Sequence, residues 1–323
     1  MKQLNKYITE RLQLNKDRVH HIEILYTPKE WDELHDNIQH IINESTTDFV
    51  DLNIIDVSNI KDFSALFDVD FKNVKKIDVS QWDMSNATDI SRMFSFCENL
   101  ESVGDLSLWN VSNVTKMNEL FYECINLKSI GDISAWDVSK LENCDRMFVD
   151  CQQLKSIGDL SHWNTSSMDS CVLMFANCIL IKSIGDLSNW NMSNVSDIEG
   201  MFNCCTHLES IGNIGKWDVK KIYVFDNMFT NCYKLTDIGD ISSWNTENVV
   251  SMISMFEECR ELQNIGDLSK WNTKNLEDTE YMFAGCTKLD IGDISSWNIA
   301  NLSRVNNMFA DCKNMTIPGW YDI

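Results

Sequence analysis

The sequence predicts an α/β repeat protein, a solenoid in which one short unit is stacked about ten times. Three observations predict it: a tryptophan, a hydrophobic-Phe pair and a cysteine each recur at one fixed interval. A period of this length over so many repeats is typical of solenoids, in which each unit buries its apolar face only against its neighbours. The tryptophans are Trp82, Trp109, Trp136, Trp163, Trp190, Trp217, Trp244, Trp271 and Trp297, an interval of 27 residues that shortens to 26 at the last step.

The other two rows keep the same frame. Phe recurs in step from Phe94 to Phe309, and a Cys follows three residues after each Phe, from Cys97 to Cys312. An earlier stretch, "IIDVSNIKDFSALF", matches the frame with Ile55 at the Trp place and adds a degenerate first repeat. Since identical residues at one interval lie on each other in a stack, we expect three interior columns.

Each repeat is expected to contain a short strand, a turn, and a short helix or 3₁₀ segment. Apolar residues fall at every third place from Leu100 to Trp109, and from Val114 to Cys124 they follow the spacing of one helix face. Ser112 precedes that stretch as a helix N-cap. The Asp or Asn after each Trp is expected to bond the backbone at a sharp turn.

The chain divides into three parts. We predict an α/β capping segment over residues 1–50, the repeats over 51–315, and a closing flap over 316–323. The terminal repeat of a stack needs a cover for its apolar face, and the first segment is expected to supply it.

The capping segment is expected to contain two helices. Leucine and isoleucine spacing predicts a short amphipathic helix over residues 4–12, and "VHHIEILY" is compatible with a strand. A second helix opens with Thr27 as its cap, Pro28 in its first turn and Glu30 completing a capping box.

The recurring phrase is W-(D/N)-(V/T)-S-N-V-x-x-M-x-x-M-F-x-x-(C/A), as in "WNVSNVTKMNELFYEC". Over roughly residues 52–315 it resembles the BspA-like leucine-rich repeats, in the variant first catalogued as a mycoplasma domain of unknown function. The resemblance implies a right-handed solenoid of leucine-rich-repeat type. Many relatives are bacterial surface proteins associated with adhesion, and the opening "MKQLNKYITERL" is also similar to the starts of phage-encoded proteins.

The charge restricts the class of partner. The formal net charge is −22, which excludes a general nucleic-acid binder and favours a basic protein or a cationic surface. The sequence has no signal peptide, lipidation motif or long apolar run, so we expect a cytoplasmic protein without membrane insertion. The alternative is a cell-surface protein exported by an unrecognised route.

The cysteines and the Gly-Asp row invite chemical interpretations. The 12 cysteines have no C-x-x-C pair and no histidine in register, which favours reduced, buried thiols over a metal or redox site. One Asp per repeat favours turn bonding over calcium. The Asp row is Asp105, Asp132, Asp159, Asp186, Asp240, Asp267 and Asp293.

No nucleophile–base arrangement and no phosphate loop occurs in the sequence, so we expect no enzyme activity, cofactor or metal. The tryptophans are compatible with sugar stacking in a carbohydrate-binding module, although a row this uniform favours a core. We therefore predict a scaffold that binds a protein through an extended acidic face. A bacterial adhesin is the alternative.

Positions at which the repeats differ are expected to face solvent. Among them Phe96, Tyr122, Tyr233 and Arg260 are residue types that anchor interfaces. An indifferent solvated face is the alternative interpretation.

One repeat, "IGNIGKWDVKKIYVFDNMF", carries Lys216, Lys220 and Lys221 where its neighbours have small polar residues. This basic island in an acidic protein is a candidate contact patch, and sequence drift is the alternative.

Overall fold

The computed structural model of the chain describes residues 23–321. It is a repeat protein in which consecutive repeats stack with their backbones parallel, as the sequence predicts. Single β-bridges join each residue of one row to its counterpart in the next repeat. That row is Asp62, Asp89, Lys116, Asn143, Ser170, Asp197, Val224, Ser251, Asp278 and Arg304.

Regular secondary structure is sparse in this stack. Helix α1 spans Trp31–Glu44, and strands β1 (Phe49–Asp51) and β2 (Lys76–Asp78) form a parallel pair with Val50 opposite Ile77. Short 3₁₀ segments precede six of the tryptophans. They are Leu106–Leu108, Leu160–His162, Leu187–Asn189, Ile214–Lys216, Leu268–Lys270 and Ile294–Ser296.

The short helix or 3₁₀ segment predicted after each Trp was wrong, because neither is present there. Residues 114–124 form successive turns, in which the N–H of Tyr122 donates to the Glu119 carbonyl at 3.1 Å. Glu119 and Glu123 both have φ of 57°, which a right-handed helix excludes. Tight turns return apolar side chains inward at nearly the same spacing as a helix, so the pattern alone did not separate the two.

Hydrogen bonds between repeats take the place of strands. Around Phe94, alternate residues donate their N–H groups to carbonyls one repeat further on, with Arg92 bonding Asn118 at 2.8 Å and Phe96 bonding Tyr122 at 2.7 Å. Such bonds satisfy the backbone of segments that are neither helix nor strand.

The three columns predicted from the sequence lie in the interior. The rings of Phe94 and Phe121 stack with centroids 5.2 Å apart. The Trp190 indole donates its N–H to the Leu160 carbonyl at 3.0 Å, and the Cys178 thiol contacts a Phe carbonyl of the preceding repeat at 3.2 Å. Each column therefore contributes both apolar burial and a bond between repeats.

Helix α1 packs on the first repeat through the buried side chains of Leu34, Ile38 and Ile42. It begins at Trp31 rather than Pro28, and Glu30 makes no capping side-chain bond, so the predicted capping box was wrong. The expected strand before it is reduced, in its described part, to one bridge between residues 26 and 55. The helix predicted over residues 4–12 lies outside the described residues.

The flap after the last repeat extends the columns. Trp320 stacks on Trp297 with centroids 6.3 Å apart and donates its indole N–H to the Ile294 carbonyl at 3.3 Å. Tyr321 packs edge-on against Phe309 at 5.0 Å. Sequence reasoning missed Trp320 because it does not follow Trp297 at the interval of the repeat. Within residues 23–321 no helix has both the length and the apolar character needed to cross a bilayer.

Candidate functional site

Two rows of side chains hold turns by bonding the backbone: the Asp or Asn after each Trp, and the Gly-Asp row. We call these side chains turn staples. Asn110 Oδ1 accepts the Ser112 N–H at 3.2 Å, as predicted for the residue after each Trp. In the Gly-Asp row, Asp132 Oδ1 accepts the Ser134 N–H at 3.0 Å and lies 2.0 Å from where a Cβ on Gly158 would be. A glycine is therefore required beside each such carboxylate.

Hydrogen bonds hold these carboxylates in their ionised form. Bonds from the Ser242 hydroxyl and backbone N–H lower the pKa of Asp240, and those from Ser295 lower the pKa of Asp293. A repeat offers at most one such carboxylate, and the repeat of Trp217 has Asn213 there instead. In the part of the chain that the structure describes, no three His, Cys, Asp or Glu side chains are grouped to hold a metal ion.

The column thiols are protonated structural groups. Burial raises the pKa of Cys124 and Cys151 well above the usual thiol value, and raises that of the less buried Cys312 to about 11. Since the thiolate is the reactive form, these side chains are poor nucleophiles at neutral pH. The indoles are likewise engaged: Trp163 is 3% exposed and bonds a backbone carbonyl, so no face is free for a sugar.

An exposed aromatic pair lies near the first repeat. Phe96 is 53% exposed, and its ring meets that of Tyr122 edge-on at 5.2 Å. Beside it is a cleft of about 300 Å³, which we call the aromatic groove. The groove is lined by Ala65, Phe67, Asp68, Val69, Phe71, Arg92, Ser95 and Phe96.

The groove forms where the first repeat leaves the stack. That repeat has Asp70 at the place of the column cysteine, and the Asp70 N–H donates to Gln39 of α1 at 3.3 Å. His35 of the same helix bonds the Asp68 carbonyl at 3.3 Å. The chain after Phe67 is thereby drawn toward α1 and away from the next repeat.

This departure leaves Ser95 without its usual partners. Elsewhere the equivalent carbonyl, such as that of Tyr122, accepts an N–H from the preceding repeat at 2.7 Å. Within residues 23–321 the Ser95 carbonyl accepts no backbone N–H, and its buried Oγ has no hydrogen-bond partner. The Ser95 carbonyl keeps only a long contact from the Cys97 thiol at 3.9 Å. The carbonyl can therefore accept a bond from an incoming ligand, and the hydroxyl can accept or donate one, in a groove lined by polar and apolar side chains.

Tyr233 and Arg260 form a second pair. The guanidinium lies 4.7 Å from the Tyr233 ring centroid, and its Nε contacts Glu258 at 2.6 Å. The Tyr233 hydroxyl donates to Asn231 at 3.0 Å. These groups bond one another, and they lie several repeats away from Phe96, so the structure does not unite the four predicted anchors in one site.

The three lysines are exposed, and one of them has a structural role. Lys221 donates to Asn194 Oδ1 at 2.9 Å, and Lys140 makes the equivalent bond to Asn113 in another repeat. Lys221 is therefore also part of the bonding between repeats.

The other two lysines lie near acidic side chains of adjacent repeats. Hydrogen bonds from Ser188 lower the pKa of Asp186, with Lys216 adding to the shift. Lys274 lowers the pKa of Glu247, with Lys220 adding. Each lysine is thus partly balanced by local carboxylates.

Variable positions do not all face solvent. Val149, Ala176 and Thr230 follow the column Phe, as Tyr122 does, and they are buried. The expectation was wrong for these residues because alternate turn residues point into the stack. The aromatic groove was missed by sequence reasoning, although Asp70 at a cysteine place was its visible signal.

A family model described as "Mycoplasma protein of unknown function, DUF285" matches residues 36–157, 127–213 and 207–320. No curated protein and no solved structure matches the chain. The matches cover most of the sequence, including all the repeats from Trp82 to Trp297. The chain therefore belongs to the family described as Mycoplasma protein of unknown function, DUF285.

Proposed function

We propose that this protein is a non-enzymatic scaffold that binds a partner protein through the outward side of its stacked repeats. We further propose that the stack is a right-handed, BspA-like solenoid of leucine-rich-repeat type with about ten turns. In this proposal residues 1–50 cap it, 51–315 form it and 316–323 close it. The regular parallel bridges between repeats support the architecture.

The observation that carries the binding proposal is the aromatic groove. Phe96 is an exposed aromatic residue next to the unpaired hydroxyl of Ser95, in a cleft of about 300 Å³. Interface hot spots have this composition: an aromatic anchor, a pocket and an arginine, here Arg92. A ligand that fills the groove removes exposed apolar surface and gives Ser95 its missing bond.

The charge specifies the partner's character. At −22 the chain attracts a basic protein surface and repels nucleic acid. Because the turns that display Arg92 and Phe96 are fixed by bonds to the next repeat, little conformational entropy is lost on binding. The free cysteines support a reducing compartment, and we propose a cytoplasmic location. Removal of the protein from intact cells by protease would instead favour the adhesin.

The test uses paired variants against a partner isolated from the native cell. Phe96→Ala should weaken its binding by about tenfold or more, which corresponds to about 1.4 kcal/mol. Tyr223→Ala is the matched control, since Tyr223 is also an exposed aromatic residue and lines neither the aromatic groove nor any other cleft named for binding, and it should leave affinity unchanged. Equal affinity of the Phe96→Ala and native proteins for every partner would contradict the groove, and catalytic turnover of a small molecule would contradict the scaffold.

A further inference from the structure

The turns that carry the column Phe donate their N–H groups in one direction, toward the following repeat. In the penultimate turn four such groups are bonded at 2.8–3.0 Å. The donors are Thr279, Tyr281, Phe283 and Gly285, and the acceptors are the carbonyls of Arg304, Asn306, Met308 and Ala310. These alternating bonds recur from repeat to repeat.

The last turn has the same four donors, and within residues 23–321 none of them has an acceptor. The N–H groups of Val305, Asn307, Phe309 and Asp311 occupy the equivalent places, and no residue between 23 and 321 accepts any of them. We call these four groups the donor edge. Because the preceding turns define their direction, they point away from the stack in one row.

The described part of the flap, residues 316–321, closes the apolar side of this turn but bonds none of its four N–H groups. Trp320 and Tyr321 cover the rings of Trp297 and Phe309. Neither makes a bond to the donor edge. A row of unpaired N–H groups at an edge is a template for pairing with another chain.

The other end of the stack is closed in a different way. There the first turn presents carbonyls, and α1 covers them: Trp31 donates its indole N–H to the Ser64 carbonyl at 2.9 Å, and His35 bonds the Asp68 carbonyl at 3.3 Å. A second molecule of this chain therefore has no free carbonyl row to place on the donor edge unless α1 is displaced.

We propose that the donor edge binds a segment of a partner protein that runs parallel to residues 305–311, adopts the same succession of turns, and offers a main-chain carbonyl at every second residue. Main-chain pairing of this kind gives affinity, and an adjacent pocket gives specificity. Such a pocket is present: a cleft of about 620 Å³ lies beside the edge. Its lining residues are Glu280, Tyr281, Val305, Asn306, Asn307 and Tyr321.

The side chains around the edge define the segment further. Glu280 and Asp311 are acidic. Of the two flanking cations, Arg304 is already paired with Asp278 at 3.1 Å, and Lys313 offsets one carboxylate. In a chain with a formal net charge of −22, this setting favours a segment with Lys or Arg beside the paired residues. The donor edge is remote from the aromatic groove, and the inference does not depend on the function proposed for that groove.

The experiment measures amide hydrogen exchange of the full chain with a defined probe. The probe is a peptide copying residues 220–232, because the carbonyls of Asp226, Met228 and Thr230 accept this pattern of bonds within the stack. The peptide also carries Lys220 and Lys221. At about 1 mM peptide, exchange at Val305, Asn307, Phe309 and Asp311 should slow by about tenfold or more. The bonded amides of the preceding turn serve as the internal control and should not change.

Four results would overturn the inference. They are unchanged exchange at the four amides, equal slowing by a peptide of scrambled order, slow exchange already in the free protein, and slowing that depends on protein concentration without peptide. The third would mean that residues outside 23–321 cover the edge. The fourth would mean that a second molecule occupies it.

Discussion

The interior columns and the outward turns of this protein are equally regular, but only the columns look regular in the sequence. The Trp column holds one residue type, whereas the row at the place of Arg92 holds many. Its backbone is nonetheless uniform, with φ between 51° and 58° throughout. The row is Ala65, Arg92, Glu119, Arg146, Leu173, Gly200, Asn227, Ser254, Tyr281 and Asn307.

The difference has a physical cause. In the columns, neighbouring side chains determine which residue fits. In the outward row, the bonds between repeats impose the backbone, and a left-handed conformation costs a non-glycine residue roughly 1–2 kcal/mol. The flanking N–H to carbonyl bonds offset that cost. Uniform apolar residues therefore mark burial, while a uniform backbone held by bonds between repeats leaves no necessary trace in residue type.

The largest effect is expected in the Trp column. Trp190→Ala should lower the free energy of unfolding by about 3–5 kcal/mol, because it leaves a cavity and an unpaired Leu160 carbonyl. Trp190→Phe should cost about 1–3 kcal/mol, since a smaller ring still fills part of the space while the bond to the Leu160 carbonyl is lost. Urea unfolding followed by circular dichroism measures both.

Leu108 provides the control for the Trp column. It is 46% exposed, so Leu108→Ala should change the unfolding free energy by no more than about 0.5 kcal/mol. If Trp190→Ala were no more destabilising than Leu108→Ala, the indole would not be a core residue.

The Gly-Asp row should give the next largest effect. In Gly158→Ala the new Cβ would lie 2.0 Å from Asp132 Oδ1 at a φ of +97°, so we expect a loss of about 2–4 kcal/mol. Adding Asp132→Ala should recover about 1 kcal/mol, because the clash disappears while the backbone strain remains. Gly319→Ala, which meets no atom within 4 Å, is the control. Equal unfolding midpoints for the Gly158 and Gly319 variants would contradict the stapling role.

The columns were predictable from the sequence because burial selects residue type and stacking repeats it. The Asx turns were predictable for a local reason. Asp and Asn are among the few residues whose side chains accept a hydrogen bond from the backbone two residues further on. The turns at Glu119 and Glu123 were not, because left-handed backbone there is held by bonds to the next repeat rather than by glycine. The aromatic groove was not predicted either, since it results from where α1 draws the chain after Phe67.

A smaller effect is expected from Gly and Ala substitutions at two exposed tyrosines. The difference in stability between the Gly and Ala variants should have opposite signs where the backbone is left-handed and where it is not. Tyr281 has φ of 57° and is 40% exposed, so Tyr281→Gly should be more stable than Tyr281→Ala by about 1 kcal/mol. Tyr223 is 45% exposed and has no positive φ, so there the Gly variant should be the less stable by about 0.4–1 kcal/mol. Thermal unfolding of the four variants measures this difference. If Gly and Ala ranked in the same order at both sites, the bonds between repeats would not impose a left-handed backbone at Tyr281.

The smallest effect is expected in the pH dependence of stability at Asp226, which precedes Asn227 of the outward row. Burial raises the pKa of Asp226, and the nearby Asp278 and Asp197 add to the shift, although Oδ1 accepts the Ser251 hydroxyl at 2.6 Å and the Ile253 N–H at 2.8 Å. A raised pKa means that the folded protein holds the proton more tightly than the unfolded chain, so ionisation opposes folding. Asp226→Asn keeps an acceptor oxygen without the charge. It should therefore be the more stable protein at pH 7, and its advantage should shrink as the pH falls through the raised pKa toward about 4.

Asp267 supplies a control of opposite sign. Hydrogen bonds from the Ser269 backbone N–H and hydroxyl lower its pKa, so its ionised form favours folding above the unfolded pKa. Asp267→Asn should be the less stable protein at pH 7, and the deficit should vanish as the pH falls through the lowered pKa. Melting temperatures of the two variants and the native protein between pH 3 and 7 measure both trends. Parallel pH profiles for the two variants would show that burial at Asp226 does not outweigh its two hydrogen bonds. Ionisation would then affect stability in the same direction at Asp226 and at Asp267.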